Sequence, residues 1–201
     1  MYDNMKIDAV KIFKKNGGQL RMAQAIKLGI SRYKLYSLRD KGVIELVARG
    51  IYRLRSIPSL SSPDIQTVCY RVPRAVIFLI SALSFHDMTT QIPHEVSIAV
   101  PVKSRAPSID YPPVKVYHLK SEIYSSGIVE HVIDGITVKV YDPEKTLVDS
   151  FRYRNKIGLD VAIEALKFYR QRGRMNLTQI SKYAKICRVD KIMQPYLEAV
   201  I

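Results

Sequence analysis

Long basic and phenolic side chains are concentrated in residues 31–41, and these side chains are suited to contact nucleic acid. Arg and Lys bind phosphate oxygens, and Arg, Tyr and Ser also reach base edges in the major groove. Leu35 and Leu38 lie three positions apart, so they define one apolar helix face with polar side chains opposite. The residues expected to contact DNA are Ser31, Arg32, Tyr33, Lys34, Tyr36, Ser37 and Lys41, followed by Arg49 and Arg53.

A charged helix face is also compatible with a solvated surface that binds nothing. Taken alone, the pattern of residues 31–41 fits both interpretations equally. The neighbouring elements favour DNA contact. Ser31 can cap the first turn of the helix, and Gly42 can end it, with Arg39 and Lys41 in the last turn.

The segments on either side complete the order of a winged helix-turn-helix domain. Apolar residues at helical spacing predict two earlier helices, over residues 6–15 and 21–28. Two β-prone runs, residues 43–48 and 51–54, flank Arg49-Gly50 and predict a compact hairpin. In a domain with three helices and a basic hairpin, the third helix reads the DNA.

The charge distribution supports the same hypothesis. The chain carries a formal net charge of +14. Residues 1–56 hold 13 Lys and Arg against 4 Asp and Glu, a net charge of +9. The other 145 residues hold 19 against 14, a net charge of +5. A short domain with this charge density can displace counterions from a phosphate backbone.

A Ser/Pro-rich connector over residues 55–63 predicts a division into two domains, 1–56 and 57–201. The second domain is expected to be mixed α+β. Its predicted elements are a helix from Asp64, a buried helix over 75–88, strands over 95–102, 114–119, 128–133 and 136–141, and helices from 143, over 161–170, over 179–186 and through Tyr196. Asp134-Gly135 predicts a hairpin turn, and Asp142-Pro143 predicts a helix start.

Several stretches resemble the AbiEi antitoxins of type IV toxin–antitoxin systems. In the first domain they are Gly17-Gly18, residues 29–31, 38–42 and 47–54, and in the second they are residues 81–86, 89–93 and 141–149. The resemblance implies a transcriptional autorepressor that binds inverted repeats in double-stranded DNA at its own promoter. It also implies an antitoxin of an abortive-infection, phage-defence system. Its functional partner would be a co-encoded AbiEii-like nucleotidyltransferase toxin, with no stable complex between the two proteins.

Residues that could support an enzyme are few. His86, His94, His118 and His131 lack the spacing of metal ligands, and no phosphate-binding or zinc motif occurs. Asp142 and Glu144 suit a helix start better than a pair of catalytic carboxylates. We expect no catalytic residue, no cofactor and no metal. The alternative is a nucleic-acid-processing enzyme, such as a nuclease with an N-terminal DNA-targeting domain.

A second basic cluster, formed by Arg170, Arg172 and Arg174, leaves two interpretations open. Cations at the end of a helix stabilise its dipole, which needs no ligand. The cluster could equally form a second contact surface for DNA, RNA or an acidic partner. The resemblance favours some role for this domain beyond packing.

Composition predicts a cytoplasmic protein with no membrane segment. The longest apolar run, residues 75–80, is too short to span a bilayer, and residues 1–6 lead into a charged helix without a signal-peptide pattern. Cys69 and Cys187 are far apart in the chain, which is typical of reduced core thiols.

Overall fold

The computed structural model describes residues 2–56, 62–105, 107–133, 136–173 and 175–199. The chain divides into two compact units. The first comprises Met1–Thr67 together with Val132–Thr137, and the second comprises Val68–His131 and Val138–Ile201. The chain contains helices and two β-sheets, so the predicted α+β class is confirmed.

The first unit combines three helices with a small antiparallel sheet. Its elements are α1 (Tyr2–Lys15), β1 (Gln19–Arg21), α2 (Met22–Lys27), α3 (Arg32–Asp40), β2 (Ile44–Ala48) and β3 (Ile51–Leu54). The strand order is β1-β3-β2, and Tyr52 of β3 lies between Leu20 and Leu46. The fully or nearly fully buried core residues come from every element: Ala9, Phe13, Leu20, Ala25, Ile30, Leu35, Leu38, Ile44, Tyr52 and Leu54.

The strand β1 is absent from the sequence prediction, which places residue 21 in a helix. Arg21 is extended, with φ −70° and ψ 147°, and lies opposite Ile51 of β3. The helix that follows therefore begins one residue later than predicted. Three residues are too few to give a local strand signal, and only pairing with β3 defines them.

The second unit contains a five-stranded mixed sheet and the remaining helices. After α4 (Pro63–Arg71), which contains the division between the units, come β4 (Val76–Ile77), α5 (Leu79–Phe85), β5 (Val96–Pro101), β6 (Val114–Leu119), α6 (Ser121–Ser125), β7 (Ile128–Ile133), β8 (Ile136–Tyr141), α7 (Pro143–Arg152), α8 (Arg154–Ile157), α9 (Leu159–Gln171), α10 (Leu177–Cys187) and α11 (Asp190–Glu198). The strand order is β6-β5-β4-β8-β7.

The helix α7 lies at the centre of this unit. Its residues from Lys145 to Phe151 are all buried, and it packs against α5, α9 and α10. The start is set locally, as predicted: Pro143 occupies the first turn, and Asp142 Oδ1 accepts a hydrogen bond of 2.7 Å from the Lys145 backbone N–H. Apolar residues from α9, α10 and α11 complete the core around Leu147, Val148 and Phe151.

The predicted buried helix over residues 75–88 is wrong in its first part. Ile77 pairs with Ile98 of β5 on one side and with Val140 of β8 on the other, so this segment is the central strand β4. Phe78 is also extended, with φ −138°, and the helix α5 starts after it. An unbroken apolar run fits a buried strand as well as a buried helix, and the two pairing partners decide the outcome.

The short helices α6 and α8 were not predicted, whereas the other helices and strands of the second unit lie close to their predicted positions. Three predicted features fall partly or wholly outside the described residues. They are the Ser/Pro connector at residues 57–61, the Asp134-Gly135 turn and Arg174. The domain bounds 1–56 and 57–201 remain a prediction.

Candidate nucleic-acid interface

The helix α3 is fixed at both ends and along its buried face. Ser31 Oγ accepts a hydrogen bond of 3.2 Å from the Lys34 backbone N–H, which is the predicted cap. Leu35 and Leu38 are buried in the core of the first unit. After the helix, Gly42 has φ +68°, a left-handed conformation that glycine adopts without a Cβ penalty. The outward face of α3 is therefore held in one orientation.

The outward face carries large side chains with little packing of their own. Arg32 is exposed, and 79% of the Tyr33 surface is accessible. Tyr36 is 41% exposed, and Lys41 is exposed just beyond the last turn. A phenol ring left in water forgoes the stabilisation that burial of its apolar surface would provide. Exposed Tyr and Arg on one rigid helix face therefore form a candidate surface for a ligand with phosphate and base edges.

The sequence interpretation missed the contribution of Arg39. Its guanidinium Cζ lies 5.2 Å from the centroid of the Tyr36 ring, and its Nη2 lies 2.8 Å from Asp40 Oδ1. The hydrogen bond to Asp40, followed by its charge, raises the pKa of Arg39. Arg39 is thus oriented over an aromatic ring on the outward face of α3. The spacing of three residues between Tyr36 and Arg39 would have indicated this contact.

Two of the predicted contact residues on α3 are only partly accessible. Lys34 and Ser37 are half-buried along the flank of α3. Arg32 and Tyr33, in contrast, are exposed. Ser31 is exposed but its hydroxyl already accepts the capping bond, and a hydroxyl retains further donor and acceptor capacity.

The hairpin β2–β3 places Arg49 at its tip. Gly50, the next residue, has φ +74°, and a Cβ added there would meet no atom within 4 Å. The Gly50 carbonyl accepts a hydrogen bond of 2.9 Å from the Met22 backbone N–H, which ties the turn to the start of α2. Arg49 is exposed at this fixed turn.

Arg53 occupies a different environment from the other predicted contact residues. Its side chain is 12% exposed, and its Nε lies 3.4 Å from Glu45 Oε1 on the neighbouring strand. Arg55 Nε approaches the second oxygen of the same carboxylate at 3.9 Å. Glu45 and Arg53 lie opposite each other in the β2–β3 register, which explains the pair. This position suits a cross-strand contact within the sheet.

The first unit thus presents a basic, aromatic helix face and a basic hairpin, and comparison with known families gives this geometry a context. Residues 8–55 match the AbiEi_4 family. That family is described as a transcriptional regulator, AbiEi antitoxin. The resemblance inferred from the sequence is confirmed over this AbiEi-matched segment, which includes all of α2, α3, β2 and β3. No curated protein matches the chain.

Residues beyond the AbiEi-matched segment include the second basic cluster. Arg170 lies in the last turn of α9, and Arg172 caps its end; both are exposed, while Arg174 lies outside the described residues. Burial lowers the pKa of His86, and the charge of Arg172 acts in the same direction. The His86 ring Nε2 lies within hydrogen-bonding distance, 2.7 Å, of the Tyr141 carbonyl oxygen.

The second unit gives structural roles to groups that the sequence raised as enzyme candidates. The His118 ring contacts the Ser104 carbonyl oxygen at 3.2 Å, and Asp142 Oδ1 accepts the Lys145 N–H at the start of α7. Among the described residues, no group of three or more His, Cys, Asp or Glu side chains could hold a metal ion. The AbiEi_4 description likewise names a regulator.

Both cysteines are buried and not in a disulfide. Burial raises the pKa of Cys69 to about 12 and that of Cys187 to about 11. Because a thiol with such a pKa stays protonated at neutral pH, neither residue is an activated nucleophile. No helix in the described part of the chain is both long and apolar enough to cross a membrane.

Proposed function

We propose that the chain is a DNA-binding transcriptional regulator and antitoxin whose first unit acts as a winged helix-turn-helix domain. In this proposal α2 and α3 form the helix-turn-helix, α3 enters the major groove, and the β2–β3 hairpin is the wing. The domain spans residues 1–56, and residues 57–201 form the second, antitoxin domain.

The observation that carries the proposal is the exposed Arg32–Tyr33–Tyr36 face on a helix that is capped by Ser31 and anchored by Leu35 and Leu38. Rigid placement is what base reading requires, because hydrogen bonds to base edges depend on direction and distance. The charge of residues 1–56 supplies a sequence-independent attraction to the phosphate backbone. The AbiEi_4 match agrees with both features.

Each predicted residue receives a role according to its position on α3 or on the hairpin. Arg32, Tyr33, Tyr36 and Ser37 face the bases, and Ser31, Lys34 and Lys41 contact phosphates on either side of the groove. Arg49 contacts phosphate or the minor groove from the hairpin tip. Arg53 serves mainly to fix the hairpin, since its Nε lies beside Glu45 on the neighbouring strand.

The finer biological role follows from the family resemblance. The target would be inverted repeats in the promoter of the chain's own operon, which makes the protein an autorepressor. Its antitoxin activity would counter a co-encoded AbiEii-like nucleotidyltransferase in a phage-defence system. The protein would act in the cytoplasm, without a stable complex with the toxin and without catalysis.

The test is a binding measurement with the full chain on two DNA duplexes. One duplex carries the inverted repeat upstream of the reading frame, and the other carries the same bases in shuffled order. We expect tighter binding to the first duplex and loss of that preference in a variant with Arg32→Ala and Tyr33→Ala. Lys167→Ala is the matched control, because Lys167 is an exposed cation on α9 of the second unit.

Equal affinity of the unmodified chain for both duplexes would contradict sequence-specific binding. Metal-dependent cleavage of either duplex by the purified chain would instead support the nuclease alternative. Reading the adjacent reading frame gives an independent check, since the antitoxin role requires a nucleotidyltransferase there.

A further inference from the structure

A cleft of about 310 Å³ opens within the second unit, beyond the AbiEi-matched segment. This volume is at the lower end of the range of small-molecule sites in proteins, roughly 300–1,000 Å³. Its walls combine apolar side chains with a few polar ones: Ile80, Ile92, Pro93 and Ile157 on the apolar side, and Gln91, His94, Glu95, Ser97, Lys115, Tyr117 and Lys156 on the polar side. This combination is typical of sites that orient a small ligand.

One end of the cleft is a fixed polar group. Lys115 Nζ lies 3.1 Å from Glu95 Oε1. The Tyr117 ring is buried, with its centroid 5.2 Å from that of Phe78 and 5.3 Å from that of Tyr153. These contacts pack the ring of Tyr117, which lines the cleft. The charges of Lys115 and Glu95 offset each other.

The other cation of the cleft, Lys156, carries a charge that no carboxylate offsets. Within the described part of the chain, no Asp or Glu oxygen lies within 4.0 Å of its ammonium. Its Nζ lies 5.7 Å from the Tyr153 ring centroid, a contact that does not neutralise the charge. The cleft therefore has an excess positive charge available to a ligand anion.

Apolar surface next to Lys156 is available to a flat ligand body. Ile80 and Ile157 line the cleft, and Ile92 on its wall is 81% exposed. An isoleucine this accessible gains stabilisation only if something covers it. A ring placed against these isoleucines would bury apolar area.

The wall that carries Ile92 is held in place from outside the cleft. Both oxygens of Glu164 on α9 accept hydrogen bonds from this loop: Thr89 Oγ1 to Oε2 at 2.8 Å, Thr90 Oγ1 to Oε1 at 2.7 Å, and Thr90 N–H to Oε2 at 3.3 Å. Thr89 Oγ1 in turn accepts the Gln91 N–H at 3.1 Å. The cleft is thus preformed, which lowers the entropic cost of binding.

We propose that this cleft binds a small anion with a flat, apolar ring body, its negative group paired with Lys156 and its ring against Ile92 and Ile157. Gln91 and the Glu95–Lys115 pair supply donors and acceptors for polar groups at the ring edge. Nucleoside monophosphates and aromatic carboxylates share this chemistry. All the lining residues named above belong to the second unit, so the result of the test below does not depend on the DNA-binding proposal.

The test is calorimetric titration of the full chain with defined probes. They are AMP, GMP, CMP and UMP, then benzoate and salicylate, with inorganic phosphate and the corresponding nucleosides as probes that lack the ring or the anion. We expect saturable binding of at least one ring-bearing anion and none of phosphate alone. Lys156→Gln should weaken that binding roughly tenfold, as expected for loss of one charge-assisted contact.

Matched variants separate the cleft from the rest of the surface. Lys167→Gln removes an exposed cation outside the cleft, and Val102→Ser removes an exposed apolar residue that is also outside the cleft. Ile92→Ser should weaken binding, and both controls should leave it unchanged. Binding of mononucleotides only or of carboxylates only would identify the ligand class. No binding of any ring-bearing anion, or equal binding by the Lys156→Gln variant, would overturn the proposal.

Discussion

At the scale of single residues, position on the α3 face or at the hairpin tip separates the side chains proposed to read bases from those proposed to contact phosphate. Arg32→Ala or Tyr33→Ala should reduce affinity for the inverted repeat by roughly 1–3 kcal/mol and leave affinity for shuffled DNA much less changed. Arg49→Ala should weaken binding to both duplexes alike and lower the salt slope by about one. Fluorescence anisotropy over a series of salt concentrations measures all three effects. The base-reading assignment fails if every variant loses the same affinity on both duplexes.

A second prediction at this scale concerns the ion pair between Lys145 and Asp149. Both side chains are fully buried, Lys145 Nζ also lies 4.5 Å from the Tyr141 ring centroid, and Cys187 Sγ lies 3.7 Å from Asp149 Oδ1. Asp149→Ala leaves the ammonium without its partner, so the free energy of unfolding should fall by roughly 3–5 kcal/mol. The double variant Lys145→Met, Asp149→Leu should be less destabilised than Asp149→Ala in urea unfolding. A larger loss in the double variant would contradict this account.

At the scale of elements, α3 depends on its cap, and the cap residue also lies on the proposed DNA-binding face. Ser31→Ala should destabilise the first unit by about 1 kcal/mol, because the Lys34 N–H loses its acceptor. Ser31→Asp keeps a capping acceptor but brings a negative charge to the phosphates. We therefore expect Ser31→Asp to retain thermal stability and lose DNA affinity. Equal stability of the Ala and Asp variants would show that the cap contributes nothing.

The loop of Thr89 and Thr90 depends on the charge state of Glu164. The hydrogen bond from Thr90 is the largest cause that lowers the pKa of Glu164 below its ordinary value of 4.5. Since the folded pKa is depressed, the contribution to stability is present above pH 4.5 and is lost as the pH falls through the folded value. Hydrogen exchange at the Thr90 amide should therefore accelerate, relative to core amides, as the pH is lowered below 4.5. Glu164→Gln should show the faster exchange without this pH dependence. Unchanged exchange in that variant would contradict the proposed role of Glu164 in holding the loop.

At the scale of the whole molecule, each of the two units has its own core, so the two proposed activities should be separable. Arg32→Ala with Arg49→Ala should derepress the promoter and still protect cells from a co-expressed toxin. Charge reversal at Arg170, Arg172 and Arg174 should do the opposite if that cluster is the antitoxin surface. A promoter–reporter assay and a co-expression growth assay measure the two activities. Loss of both activities in every folded variant would reject the division of labour.

The features that depend on neighbouring residues could be predicted from the sequence. Ser31 and Asp142 cap the helices that they were predicted to cap, and Gly42 adopts the left-handed conformation expected after α3. Leu35 and Leu38 are buried as their spacing predicts. Such signals are local because a cap, a turn and a helix face each involve residues a few positions apart. The resemblance over residues 8–55 rests on the same local patterns.

The tertiary structure decided the features that depend on residues distant in the chain. Ile77 is a strand residue because β5 and β8 lie on either side of it, although its own neighbours are equally compatible with a helix. Arg53 pairs with Glu45 only once β2 and β3 are in register. Residues 91–95 and 115–117 line the cleft together with residues of α8, and the spacing of these segments along the chain does not predict that they lie together. Because pairing and packing over these separations depend on the whole core, a local sequence pattern does not predict them.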